Sequence, residues 1–230
     1  YITKQYQSGG YTALDARQYI GYLNGDYNVA TKLTHGNTNY TLFAGYNIIE
    51  HNGSIKESTE SFYFPDYQVD RTYTTLDGKS RNSQMYGQLN ILNRNDKRTL
   101  SGKLTFIRKN APDNFTSNLM DYTRHHEMNL ISLNQTNQSG IMPTLELYGN
   151  FKLRNRQYIE TTLRGSYSRN HYERNYQENE YTNYMNSRED FYEGMIGINY
   201  GLPLKHQNQL TFQLRSFYQN TATNYTGNNP

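Results

Sequence analysis

The chain has 230 residues, 34% of them hydrophobic, with 24 tyrosines, 9 phenylalanines, no cysteine and a formal net charge of +3. A mean hydropathy of −0.98 is low for a soluble domain of this size, while the aromatic content is too high for a solvated coil. These figures exclude disulfides, thiol chemistry and cysteine-ligated metals; the interspersed charges form no stripe that would read nucleic acid, and no apolar run reaches the ~18–20 residues of a membrane-spanning helix.

The pattern that does recur has a period of two. Around His35-Gly36-Asn37, one arm places Gly21, Leu23, Gly25, Tyr27 and Val29 on one parity, and the other places Tyr40, Leu42, Ala44, Tyr46 and Ile48. After a polar segment over about 50–81, a second pair of arms surrounds Asn93-Arg94-Asn95-Asp96: Met85, Gly87, Leu89 and Ile91, then Leu100, Gly102, Leu104 and Phe106. A segment over about 111–143 follows, within which Met128 to Leu133 is apolar enough for a strand extension. The third pair, around Arg154-Asn155-Arg156, carries Leu145, Leu147, Gly149, Phe151 and Leu153, then Ile159, Thr161, Leu163, Gly165 and Tyr167. Beyond a segment over about 170–190, the last pair carries Gly194, Ile196, Ile198, Tyr200 and Leu202, then Leu210, Phe212 and Leu214. Alternation of this kind marks a strand with one apolar face, and two such runs about a short polar break mark a hairpin.

Each run is about 9–11 residues, the length a tilted strand needs to cross a bilayer, against a mean of about 5–6 in soluble proteins. Charge keeps to the other parity: Glu160 and Arg164 oppose Ile159, Leu163 and Tyr167, and Glu146 and Lys152 oppose Leu145, Leu147, Phe151 and Leu153. Tyr19, Tyr27, Tyr40, Tyr46, Tyr167 and Tyr200 stand near the ends of runs, where an interfacial girdle would lie. Short turns, Asn95 among them, alternate with long loops, Asn179 among them. The fold expected is all-β: an antiparallel up-and-down meander of about eight strands, forming an arc of a larger transmembrane β-barrel. Its outward stripe includes Ile196, Ile198, Leu210, Phe212 and Leu214. The pattern starts in mid-strand at Tyr1 and stops just past a strand at Pro230, as in a segment of a longer chain.

Residues 190–194 (Asp190-Phe191-Tyr192-Glu193-Gly194), the run on through Leu202-Pro203-Leu204-Lys205, then Leu210-Thr211-Phe212 and Tyr225-Thr226-Gly227, resemble the barrel region of TonB-dependent receptor-like outer-membrane proteins of Bacteroidetes. Tyr148-Gly149-Asn150-Phe151 with Asn155 and Arg156 resembles the preceding hairpin of that family. The resemblance implies that residues 1–230 are a partial barrel domain in the outer membrane of a Gram-negative cell, with neither the plug nor the N-terminal regulatory-like domain. It further implies nutrient uptake, with membrane lipid, a plug of the same parent chain, periplasmic TonB and a surface lipoprotein as partners.

Few residues suggest a chemical site. His125-His126-Glu127 offers imidazole and carboxylate without a third ligand, so it reads as a solvated histidine pair, and no metal or cofactor is expected. No phosphate loop, nucleophile elbow or tuned carboxylate pair is present, and no enzyme is expected. Tyr63 and Tyr67, and Tyr172, Tyr176 and Tyr181, are candidate ligand contacts, because flat rings with amide neighbours stack on sugars or grip peptides. A passive outer-membrane pore, a surface-anchoring barrel and, more distantly, a soluble secreted glycan-binding β-protein remain as alternatives.

Overall fold

The computed structural model describes residues 8–20, 23–53, 55–123, 128–204 and 208–228. Ten strands form a single antiparallel sheet: β1 (Ser8–Tyr19), β2 (Asn24–His35), β3 (Thr38–Asn52), β4 (Glu57–Tyr63), β5 (Gln68–Arg94), β6 (Arg98–Thr123), β7 (Met128–Lys152), β8 (Tyr158–Glu178), β9 (Tyr181–Pro203) and β10 (Gln209–Gly227). Apart from β4 they lie side by side in chain order, an up-and-down meander. β5 pairs β3 over Lys79–Asn93 and β4 over Gln68–Thr74, so β4 continues the track of β3 beyond a break at Gly53, where φ is +68°. Among the described residues β1 pairs only β2 and β10 only β9, and the sheet is not closed.

The eight strands read from alternation are β2, β3 and β5 to β10; β1 and β4 are additional. The described residues of the long segments 50–81, 111–143 and 170–190 are mostly strand, not loop. They form β4 and the distal parts of β5 to β9, so that β5 reaches 27 residues and β6 reaches 26. Ladder hydrogen bonds need only backbone, and they persist where both faces turn polar and the hydropathy signal vanishes. Met128 to Leu133 opens β7 as an extension of it. Asn179 lies in a two-residue turn between β8 and β9, with φ +49°; its N–H donates to Ile131 O, and its Oδ1 accepts from Ile131 N–H at 3.1 Å.

Two irregularities change parity within strands. In β6, register shifts between Ala111 and Asn114, around Pro112, which has no N–H to give, and Asp113, at φ +54°. The Asp113 N–H donates instead to Asn137 Oδ1 at 2.7 Å. In β5 a second shift falls between Thr75 and Asp77. At the opposite end the turns are tight. Gly36 leads the β2–β3 turn at φ +56°, and Asn95 Oδ1 accepts from the N–H groups of Lys97 (3.0 Å) and Arg98 (2.8 Å) to fold the β5–β6 turn.

The sheet is one layer thick and has no core of its own. Ile48, 6% exposed, is the buried hydrophobic residue among those described. The chain exposes 16970 Å², where a compact protein of its mass would expose about 11,000 Å².

Candidate functional site

Cross-strand partners in an antiparallel pair project to the same face, so the register turns eight sequence stripes into two surfaces. Ile196 stands beside Leu163, Leu163 beside Leu147, and Leu147 beside Gly102; the row runs on through Ile91, Tyr40 and Leu33 to Gly10. The next row contains Gly194, Gly165, Leu145, Leu104, Leu89 and Leu42. Among the described residues no Asp, Glu, Lys or Arg lies on this face between the row of Arg98 and the row of Arg108. Those two arginines are ten positions apart on β6, about 34 Å of strand. The side chains between them are open to the surroundings: Leu163 is 46% exposed, Ile196 49% and Leu214 65%.

The opposite face holds the charges at the same height. Arg164 stands beside Glu146 and Glu146 beside Lys103, whose Nζ is 3.8 Å from the Glu146 carboxylate. Glu160 accepts from Asn150 Nδ2 at 2.9 Å, Tyr148 Oη at 3.3 Å and Asn199 Nδ2 at 3.3 Å. The amide and hydroxyl donors around this carboxylate knit the face laterally across β7, β8 and β9.

Aromatic rings border the apolar band. Tyr27 stacks on Tyr46 (6.4 Å between centroids) and Tyr167 packs on Tyr192 (4.9 Å) at the distal border; Tyr200 stacks on Phe212 (6.3 Å) at the turn border. Tyr40 lies on the same face. Tyr19 does not: it has the parity opposite to Leu14 and Ala16, because β1 pairs with β2 in a register that turns Tyr19 to the charged side. One row beyond the band, Asp190 accepts from Tyr167 Oη at 2.6 Å, Arg169 Nε at 2.7 Å and Arg188 Nε at 3.0 Å. The tyrosine hydroxyl first, and then Arg169, hold its carboxyl down at about 2.

The five tyrosines singled out from sequence do not form one site. Tyr172, Tyr176 and Tyr181 share the charged face at the distal ends of β8 and β9. Tyr176 donates to Glu178 and lies under the Arg174 guanidinium at 5.2 Å; burial first, and then the carboxylate, push its hydroxyl up to about 12. Tyr63 ends β4 on the other face, and Tyr67 belongs to the β4–β5 turn, where Phe64 stacks with it at 4.5 Å. His125-His126-Glu127 lies outside the described residues.

A site invisible in the sequence sits on the charged face just beyond the band. Asn47, Gln84, Lys109 and Asn170 stand in one row across β3, β5, β6 and β8, and Gly140 of β7 contributes no side chain between them. With Gln138 they line a recess of about 440 Å³. Amide groups and one ammonium can hold a polar, hydroxyl- or carbonyl-rich group there. Only register brings these residues together, and no motif records it. No protein-family model matches the chain, and no curated protein or solved structure matches it either.

Proposed function

We propose that the chain is a membrane-spanning part of a larger β-barrel of the TonB-dependent receptor-like kind, located in the cell outer membrane and taking part in nutrient uptake. The observation that carries the spanning part of this reading is the charge-free band with aromatic borders. At the usual strand tilt of 35–45°, its ten residues rise about 25 Å, the height of the apolar band on outer-membrane barrels. The unburied area supports it as well, since lipid on one face and a plug or water on the other would cover what a soluble monomer hides in a core. Among the described residues the outer edges of β1 and β10 have no partner strand, which supports continuation of the barrel on both sides, because bare backbone groups in hydrocarbon cost several kcal/mol each.

In this reading the short turns face the periplasm and the long distal strands stand outside the cell. The charged face lines the lumen, where the amide recess and Lys109 would meet a plug or a passing solute. Active transport, TonB and a surface lipoprotein rest on the family resemblance alone.

The absence of cysteine makes the test clean. Asn95 and Asn179 both hold their turns through side-chain hydrogen bonds, so the neighbours Asp96 and Glu180 are the better positions. Single cysteines there, in the full-length protein on intact cells, are exposed to a maleimide too large to cross the outer membrane. Labelling of E180C alone supports the reading and its orientation. Labelling of both, or recovery of the protein in the soluble fraction, overturns it in favour of a soluble β-protein.

A further inference from the structure

The turn end of the sheet is knitted sideways. The Arg94 N–H donates to Asn37 O at 3.0 Å, and the Lys152 N–H donates to Lys97 O at 2.8 Å, joining three successive hairpin turns into one rim. Residues 94–98 and 152–156 bring to that rim Arg94, Lys97, Arg98, Lys152, Arg154 and Arg156, against the one carboxylate of Asp96. Ten residues therefore hold a net +5 in a chain whose total is +3, and the remainder is net −2.

All six cations are exposed, and among the described residues none of them enters an ion pair. The distal border differs in this respect, since Arg169 and Arg188 there share Asp190. Six like charges on two adjoining turns repel one another, and that repulsion is relieved when an external anion arrives. Their height selects the anion. Arg98 shares a row with Phe151, Ile159 and Tyr200 on the apolar face at the border of the band; Lys97, Arg154 and Arg156 lie in the turns beyond it, while Arg94 and Lys152, beside Thr99 and Tyr158, project to the charged face at the same end. That is the level at which a bilayer places its phosphates.

We propose that this rim binds the phosphate groups of anionic phospholipid headgroups in the leaflet on the turn side. The proposal rests on the membrane-spanning reading above. Each cation near an anionic surface strengthens association about fivefold at low ionic strength, an effect that salt screens within a Debye length.

The test uses the full-length protein in nanodiscs of phosphatidylcholine containing a minor fraction of phosphatidylglycerol, with spin-labelled versions of each lipid as probes. The wild type is expected to associate with labelled phosphatidylglycerol at least about fivefold more strongly than with labelled phosphatidylcholine, and the preference should shrink as salt rises. The K97Q/R154Q/R156Q variant, and separately the charge-reversed K97E/R154E/R156E variant, should lose that preference while retaining heat-modifiable gel migration, the sign of a folded barrel. Equal association of the two lipids in the wild type overturns the proposal, as does a preference that survives both variants. Complete competition by inorganic phosphate overturns the headgroup assignment in favour of free phosphate, and release of a co-purified acidic protein by the variants, with lipid preference unchanged, overturns it in favour of protein docking. Failure of the wild type to insert into either bilayer refutes the membrane-spanning reading itself, an outcome separate from all of these.

Discussion

A cation placed at Leu163 measures what the apolar face touches. Leu163 stands between Leu147 and Ile196, in the row of Gly102, four residues from the row of Arg98 and six from the row of Arg108. With tilt included, that puts it about 10 Å inside one border and about 15 Å inside the other. Near the midplane an outward Arg costs about 2–4 kcal/mol, falling to about 0–1 kcal/mol at the interface. Leu163→Arg should therefore lower unfolding free energy by about 2–4 kcal/mol. Ile159→Arg, on the same face and strand but in the row that already carries Arg98, should lower it by less than about 1 kcal/mol. Thr162→Arg projects to the charged face beside Gly197 and Tyr148 and should also stay within about 1 kcal/mol. The assay is urea unfolding of the full-length protein in lipid vesicles, with the folded fraction read from gel migration without boiling. A flat profile across the three positions refutes the lipid-facing assignment, because a dry protein interface has no reason to grade cost by height.

Other consequences are equally direct. A Cβ added at Gly201 would overlap the Tyr158 ring lying over it, whereas Gly87 has open space. Gly201→Ala should thus destabilise by about 1–3 kcal/mol and Gly87→Ala should stabilise by about 0.5–1 kcal/mol, both measured in the same urea titration. Asn95→Ala removes two side-chain hydrogen bonds from the β5–β6 turn and should cost about 1–3 kcal/mol. The Asp190 carboxyl is depressed from 3.8 to about 2, so its stabilising contribution is complete above its unfolded value and disappears as pH falls through about 2. Unfolding midpoints at pH 5 and pH 2 should accordingly lie closer together in Asp190→Asn than in the wild type; equal differences in the two proteins would show that the Asp190 contacts add nothing.

What was legible in the sequence was the part of the sheet that has two unlike faces. β8 announces itself from Tyr158 to Tyr167 because Ile159, Leu163 and Tyr167 alternate with Glu160 and Arg164. From Asn170 onward the same strand carries His171, Glu173 and Asn175 on one face and Tyr172, Arg174 and Tyr176 on the other. No period survives there, although every residue is paired. β4 fails for the same reason, since Glu57-Ser58-Thr59-Glu60-Ser61 has no apolar stripe. In β1, Leu14 and Ala16 make too thin a stripe after Gly9 and Gly10. The bulges at Asp113 and Leu76 erase the signal differently, by exchanging faces in mid-strand. The recess around Lys109 was out of reach altogether, because its residues are distant in the chain and meet only through the register of five strands.

Among the described residues every strand on the path of the meander pairs only with the strands beside it, except that β5 also pairs β4, and none reaches across to a distant partner. Such a sheet behaves as a one-dimensional array, whose stability is approximately a sum of nearest-neighbour terms. Formation can spread from whichever pair closes first, with short connections to close at each step except between β3 and β5, where β4 intervenes. The same connectivity lets a hairpin be gained or lost between any two others without disturbing the register of the rest, so the perimeter of the assembly can change over evolutionary time while each wall keeps its lipid-side stripe and its charged lining.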